Sequence, residues 1–147
     1  MPSRTGRRKR HGAAAVETAM VLSAFVLLVF GIYEYGRLLF MKDLLDNAAR
    51  EGARYAVVNT GSVTTSALQS YVTGYLVNQQ NHLQNLQVNV YLSDSSGNNI
   101  GSWNNAQFGQ YIAVQVSGTY RPILPSLLFM NASINLKGQA LMYAETN

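Results

Sequence analysis

One carboxylate, Glu17, lies inside a run of apolar residues that extends from Ala13 to Tyr33. An ionised carboxylate at the centre of a membrane helix costs about 2.5–3.5 kcal/mol, and less near an end, so such a residue usually has a partner. One interpretation is that Glu17 reaches the lipid headgroups and pairs there with a preceding basic residue. The other is a functional role for Glu17 together with Gly12, which precedes the apolar run.

Other residues offer little support for catalysis or metal binding. His82 is the histidine outside the basic N-terminal tail, and its position beside Asn81, near the predicted end of a helix, favours a surface role. Asp94, Ser96 and Asn98 have a spacing similar to that of a calcium loop, but a single carboxylate is too few for the usual oxygen cage. We therefore predict a solvated turn at this position.

The composition excludes several classes of chemistry. The absence of cysteine removes disulfides, thiolate metal sites and cysteine nucleophiles. The sequence also has no metal-ligand cluster, no phosphate-binding glycine loop and no nucleophile elbow. We accordingly expect no catalytic residue, no metal and no cofactor.

The positive charge is concentrated in the N-terminal tail. The formal net charge is +4, but five of the eleven Lys and Arg residues lie within the first ten positions. The residues after Gly12 hold six basic and seven acidic side chains, which gives about −1 for the rest of the chain. A nucleic-acid partner is therefore not expected, because it would require basic residues spread over a folded face.

The apolar run has the length of a membrane-spanning helix. Its 21 residues, Ala13 to Tyr33, span about 30 Å at about 1.5 Å per residue, which matches the hydrocarbon core of a bilayer. A buried core helix is the weaker alternative, because the chain has too little other apolar mass to surround it. The basic residues before the run predict a cytoplasmic N-terminus and a body outside the cytoplasm.

Helical periodicity continues beyond the apolar run, to about Val58. A cleavable secretory signal is disfavoured because no small-x-small cleavage site follows the run, and no proline occurs between Pro2 and Pro122. The extension carries an apolar face, which we predict to be the subunit-contact surface; the alternative is that it supports the chain's own head. This face consists of Leu38, Met41, Leu45, Ala48, Gly52 and Tyr55.

The remainder, residues 59–147, is expected to form a small α+β head. Thr64 or Thr65 could cap a second helix. Period-two alternation over residues 86–92, 112–116 and 134–142 predicts a three-stranded antiparallel sheet, covered by the second helix or by the long one. The connection Pro122–Met130, rich in large apolar residues, is expected to fold under the sheet or to form a docking patch.

Four segments follow from this pattern: a basic cytoplasmic leader at 1–12, a transmembrane helix at 13–33, an amphipathic helical extension at 34–58 and an extracytoplasmic head at 59–147.

The N-terminal third resembles the TadE-like family of minor pilins or pseudopilins, which are associated with tight-adherence (Flp) pilus assembly in bacteria. A basic leader, Gly12, AAAVE and an apolar helix are similar to the processing site of type IV pilin-like precursors. Further similarity lies in Gly31-Ile32, in EYGR at 34–37 and in NAAREGARYA at 47–56. The resemblance covers residues 8–58, and the head matches by architecture only.

The resemblance implies that a prepilin peptidase cuts after Gly12 and leaves Ala13 as the first mature residue. The protein would then be a substrate of an enzyme and not an enzyme itself. Its implied partners are this peptidase, other pilin or pseudopilin subunits, an inner-membrane pilus assembly platform and the lipid bilayer. Its implied location is the bacterial cytoplasmic membrane, as a single-pass protein that is incorporated in a pilus or acts in its assembly.

Cleavage would give Glu17 a specific partner. The new α-amino group on Ala13 has an ordinary pKa of about 7.7–8.0 and is a cation at neutral pH. Glu17 could neutralise that amine on its own subunit or on a neighbour, and removing either partner would leave an unpaired charge in an apolar environment. Two alternatives remain: an uncleaved signal-anchored envelope protein whose head binds an extracellular partner, and an enzymatic head.

Overall fold

The structure is a computed structural model, and it describes residues 9–76, 82–126 and 128–144. Of the predicted leader, residues 1–8 lie outside the described residues. Two helices are followed by four strands, with a short 3-10 turn at Trp103–Asn105 before the third strand. The elements are α1 (Lys9–Val58), α2 (Thr65–Tyr75), β1 (Leu83–Ser93), β2 (Asn99–Gly101), β3 (Tyr111–Tyr120) and β4 (Ile134–Tyr143).

Helix α1 is continuous over 50 residues and ends at Val58, as the periodicity predicts. Its last carbonyls are bound by the polar residues that follow. Asn59 Nδ2 donates to the Tyr55 carbonyl at 2.8 Å, and Thr60 Oγ1 donates to the Ala56 carbonyl at 3.0 Å. Gly61 then has a φ of 76°, a left-handed conformation that glycine adopts without steric cost and that turns the chain away from the helix.

Helix α2 begins with the two threonines in different roles. Thr64 is the N-cap, and its hydroxyl accepts a hydrogen bond from the Ala67 amide at 3.3 Å. The Thr65 hydroxyl instead accepts from the indole nitrogen of Trp103 at 2.9 Å. Because Trp103 is fully buried, this bond ties the start of α2 to the 3-10 turn beside β1.

The sheet has four antiparallel strands in the order β2-β1-β3-β4, so the prediction of three strands was wrong by one. The additional strand, β2, is three residues long, exposed throughout and paired with the end of β1. So short and exposed a strand shows no alternation of apolar and polar residues, and the sequence pattern therefore misses it. The other strands lie at the predicted positions, and both helices pack against one face of the sheet.

Helix α1 runs along the sheet antiparallel to β3. Glu34 of α1 meets Tyr120 at the end of β3, whereas Gly52 lies against Val114 nearer its start. Between these points α1 contacts the sheet through small residues, which allow its backbone to approach closely. The fully buried alanines of this face are Ala48, Ala49, Ala53 and Ala56.

The closest approach is between Gly138 of β4 and the backbone of α1. A Cβ atom on Gly138 would lie 2.5 Å from the carbonyl carbon and oxygen of Leu45 and 2.7 Å from the amide nitrogen of Asp46. These atoms belong to the helix backbone and cannot rotate away. Glycine is therefore required at this position for the helix to lie on the sheet.

We predict that Gly138→Ala lowers the stability of the head by about 1–3 kcal/mol or more, because the added methyl group forces helix and strand apart. The measurement is the melting temperature of the full chain in detergent. Gly118→Ala in β3 is the matched control, since the nearest atoms to its added Cβ would lie at 3.5 Å, an ordinary contact distance. Equal melting temperatures for the two variants would contradict the close approach.

Candidate functional site

The predicted processing residues lie in the first turns of α1. Nothing lies within 4 Å of the position that a Cβ atom on Gly12 would occupy, so packing within the described chain does not require glycine there. Ala13 and Glu17 are both exposed. The backbone at Gly12 is therefore open to close approach by another molecule.

Ala13 and Glu17 are one helical turn apart on the same face of α1. A cut after Gly12 would place a new α-amino group at the start of the helix. The Glu17 carboxylate would then lie near both that cation and the positive end of the helix dipole. The one-turn spacing is compatible with the predicted pairing within one subunit.

The apolar part of α1 is bare. Among the described residues, one helix is long and apolar enough to cross a membrane, and no residue of its most apolar stretch is buried within the chain. Its exposed side chains include large ones such as Phe25, Leu28 and Ile32. This part of α1 could span a bilayer, whereas the part from Leu38 onward forms the core of the head.

The predicted subunit-contact face is filled by the chain's own head. Met41, Leu45 and Ala48 are 2%, 0% and 1% exposed and belong to the head core, and Leu38 packs against that core. Tyr55 stacks on Tyr71 of α2 with ring centroids 4.3 Å apart. In the structure this face therefore supports the chain's own head, which is the alternative to a subunit contact. The sequence could not decide between the two, because an apolar stripe does not specify which partner covers it.

Gly52 shows how tight that intramolecular contact is. A Cβ atom there would lie 2.6 Å from Val72 Cγ2 of α2 and 3.1 Å from Val114 Cγ1 of β3. A neighbouring helix thus approaches closely at Gly52, and this helix is α2 of the same chain. A large residue at Gly52 would therefore disturb the head itself.

A buried carboxylate, Glu34, lies where the apolar part of α1 meets the head. Glu34 is 2% exposed, although it directly follows the apolar run. The Tyr120 hydroxyl donates a hydrogen bond to Glu34 Oε1, and the amide of Ile123 donates to Oε2 at 3.3 Å. Both oxygens of the carboxylate are thus bound by the head, across a separation of more than eighty residues in the sequence.

Arg37, one turn beyond Glu34, completes this junction. Its guanidinium carbon lies 5.0 Å from the centroid of the Tyr120 ring, within the range of a cation–π interaction. Its Nη2 donates to the carbonyl of Arg121 at 3.2 Å, while its buried Nε has no hydrogen-bond partner among the described residues. We call Glu34, Arg37 and Tyr120 the junction cluster.

The junction cluster changes the acidity of its tyrosine. Burial raises the pKa of Tyr120 to about 12, and the hydrogen bond that its hydroxyl donates to Glu34 acts in the same direction. The nearby Arg37 cation opposes this effect without cancelling it. The phenol therefore stays protonated at neutral pH and donates its hydrogen bond to the carboxylate.

Sequence reasoning did not assign a role to the junction cluster. Glu34 and Arg37 appear in the sequence as two of several mixed charges after the apolar run, and EYGR carries part of the family resemblance. The available signal was a second carboxylate directly beside an apolar span, with an arginine on the same face. Its partner, Tyr120, is remote in sequence, so only the fold brings it to Glu34.

The remaining candidates keep surface positions. His82 is exposed and directly precedes β1. Asp94 accepts hydrogen bonds from the Asn98 side chain and from the amides of Asn98 and Ser96, and these bonds lower its pKa. Its carboxylate is thus engaged by its own turn. Within the described parts of the chain, no three His, Cys, Asp or Glu residues are grouped as metal ligands.

Comparison with known proteins connects this helix to a family. Residues 12–54 match the family model described as TadE-like protein, which confirms the resemblance over this segment. The segment begins at Gly12 and includes Glu17, the apolar run, Glu34 and Arg37. No match was found among curated proteins or among solved structures. The match thus falls on α1 and ends before the head elements α2 and β1–β4.

We predict that Tyr120→Phe destabilises the head by about 1.5–3 kcal/mol, because it removes a hydrogen bond to a buried carboxylate. In a Glu34→Gln background the same substitution should cost clearly less, and the free energies of unfolding of the full chain in detergent give the coupling between the two sites. Tyr143→Phe is the control, since it removes an exposed hydrogen bond, between the hydroxyls of Tyr143 and Tyr111, at the other end of the sheet. Additive effects of Tyr120→Phe and Glu34→Gln would show that the two side chains do not interact.

Proposed function

We propose that this chain is a minor pilin or pseudopilin that takes part in the assembly of a tight-adherence (Flp-type) pilus or a related secretion apparatus. The observation that carries the proposal is the TadE-like match at residues 12–54, which falls on a helix whose apolar part is uncovered by its own head. A subunit with this layout can exchange lipid for the helices of other subunits without unfolding its head.

The surface offered to other subunits would then be the bare part of α1. The face from Leu38 to Tyr55 is already occupied by the head, so contacts to other pilin or pseudopilin subunits are proposed on residues 13–33. The exposed side chains Leu39 and Phe40 extend this surface toward the head. Van der Waals packing of bare helices is the usual basis of helix association in an apolar medium.

The proposed chemistry belongs to a partner and not to this chain. A prepilin peptidase would cleave after Gly12 at the cytoplasmic membrane face, and the chain would serve as its substrate. Cleavage would remove the five basic residues of the tail, which otherwise favour retention of the N-terminus in the cytoplasm. An inner-membrane assembly platform would then receive the mature subunit, with the head outside the cytoplasm.

We expect Gly12→Val to block processing, because a branched side chain prevents close approach of the peptidase to the scissile backbone. Intact mass of the protein extracted from membranes is the measurement, and the variant should stay heavier by the twelve leader residues. Gly36→Val is the matched control, because Gly36 lies on the same helix with open space around it. If the native protein itself retains Met1 to Gly12, the alternative of an uncleaved signal-anchored protein is favoured instead.

Glu17 should act after processing. Glu17→Ala removes the partner of the new amine and leaves the scissile position unchanged. The variant should therefore be cleaved normally but should be poorly incorporated into the pilus or support its assembly poorly. Glu17→Asp keeps the charge and should retain more function than Glu17→Gln. Pilus yield in sheared fractions, compared at equal levels of mature protein, provides the measurement. Full assembly with Glu17→Gln would exclude the electrostatic role.

A further inference from the structure

The connection between β3 and β4 packs beside the end of the apolar run. Leu128 Cδ2 lies 3.7 Å from the position of a Cβ atom on Gly31, and the Ile123 amide binds Glu34. The loop is compact, because the Leu128 amide donates to the Leu124 carbonyl at 3.3 Å and the Met130 amide to the Pro125 carbonyl at 2.9 Å. Its described residues are thus held against α1.

These contacts fix the level of the loop relative to the apolar run. Gly31 precedes the end of the run at Tyr33 by two residues, which is about 3 Å along the helix axis. Because Leu128 lies beside Gly31, it is at the level of the edge of the hydrocarbon core whenever α1 spans a membrane. Phe129 is the next residue, with its Cα about 3.8 Å further along the chain.

Phe129 is exposed to a degree that its surroundings within the chain do not explain. Its side chain is 99% exposed, and its φ of 53° lies in the left-handed region, which is uncommon for residues other than glycine. Ile123, on the same loop, is 57% exposed. On α1, the rings of Tyr33 and Tyr35 are exposed at the same level, as aromatic residues typically are at a membrane interface.

We propose that the described residues of this loop, 121–126 and 128–130, form a membrane-contact loop, in which Phe129 and Ile123 enter the leaflet on the side of the head. The partner is the lipid surface, because the exposed apolar side chains are continuous with the bare apolar part of α1. The loop gives the head a second attachment to the bilayer, beside the helix. The proposal requires that α1 spans a bilayer and does not depend on a role in pilus assembly.

The test uses tryptophan fluorescence in the full chain, reconstituted into phosphatidylcholine vesicles whose acyl chains are brominated near the headgroup or near the bilayer centre. Bromine quenches tryptophan on contact, and its presence in both leaflets makes the result independent of the orientation of the chain. The native Trp103 is the sole tryptophan of the sequence and is 1% exposed, so the unsubstituted protein provides the unquenched baseline.

Phe129→Trp should be quenched several-fold more strongly than Phe108→Trp, and more by bromine near the headgroup than by bromine near the bilayer centre. Phe108 is the matched control, because it is a 76% exposed phenylalanine that precedes β3 at the end opposite Tyr120. The length of the ten-residue strand, about 30 Å, separates it from the junction.

Two outcomes would overturn the proposal. Phe129→Trp could show no more quenching than Phe108→Trp, which would place the loop away from lipid. It could also be quenched most strongly by bromine near the bilayer centre, which would contradict a position at the interface. Both substitutions replace one exposed aromatic residue by another, so both variants should keep the melting temperature of the unsubstituted protein, which shows that the head is intact.

Discussion

Helix α1 is one unbroken helix in two environments, with an exposed apolar part and a part buried in the head. The close contact between its small-residue face and the sheet makes the buried part possible. From Gly12 to Phe30 every residue of the helix is exposed, whereas beyond Leu38 it is the central element of the head core. The contact is close because Gly138 has no side chain and alanines face the strands. The change of environment occurs within about one turn, at the junction cluster, where a buried carboxylate receives its hydrogen bonds from the head.

Much of this fold follows from local sequence signals. Apolar residues at steps of three and four, with no proline among them, predict that the long helix continues to Val58. A threonine marks the start of α2. Strong alternation located three strands. The fourth, β2, consists of three exposed residues that pair with the end of β1 across the turn at Asp94, and this pairing has no local signature.

The candidate site was less predictable, because its partners come from the tertiary structure. A stripe of apolar residues from Leu38 to Tyr55 indicates that something covers it, but the head and a second subunit would produce the same stripe. The buried state of Glu34 depends on Tyr120 and Ile123, which reach it only through the sheet. Gly12 and Glu17 could be proposed from the sequence because both lie in one short segment, and that segment matches the TadE-like family model; their roles stay predictions.

The continuity of α1 also determines how the molecule would bear load. No hinge lies between the apolar part of the helix and the head, so a tilt of one is a tilt of the other. A force that pulls the head along the helix axis acts in shear on the interface between helix and sheet. In that geometry the contacts at Gly138, at Gly52 and at the junction cluster share the strain and must fail together. The head would therefore behave as a stiff lever, and thermal motion of the helix in its surroundings would appear at the tip of the sheet with increased amplitude.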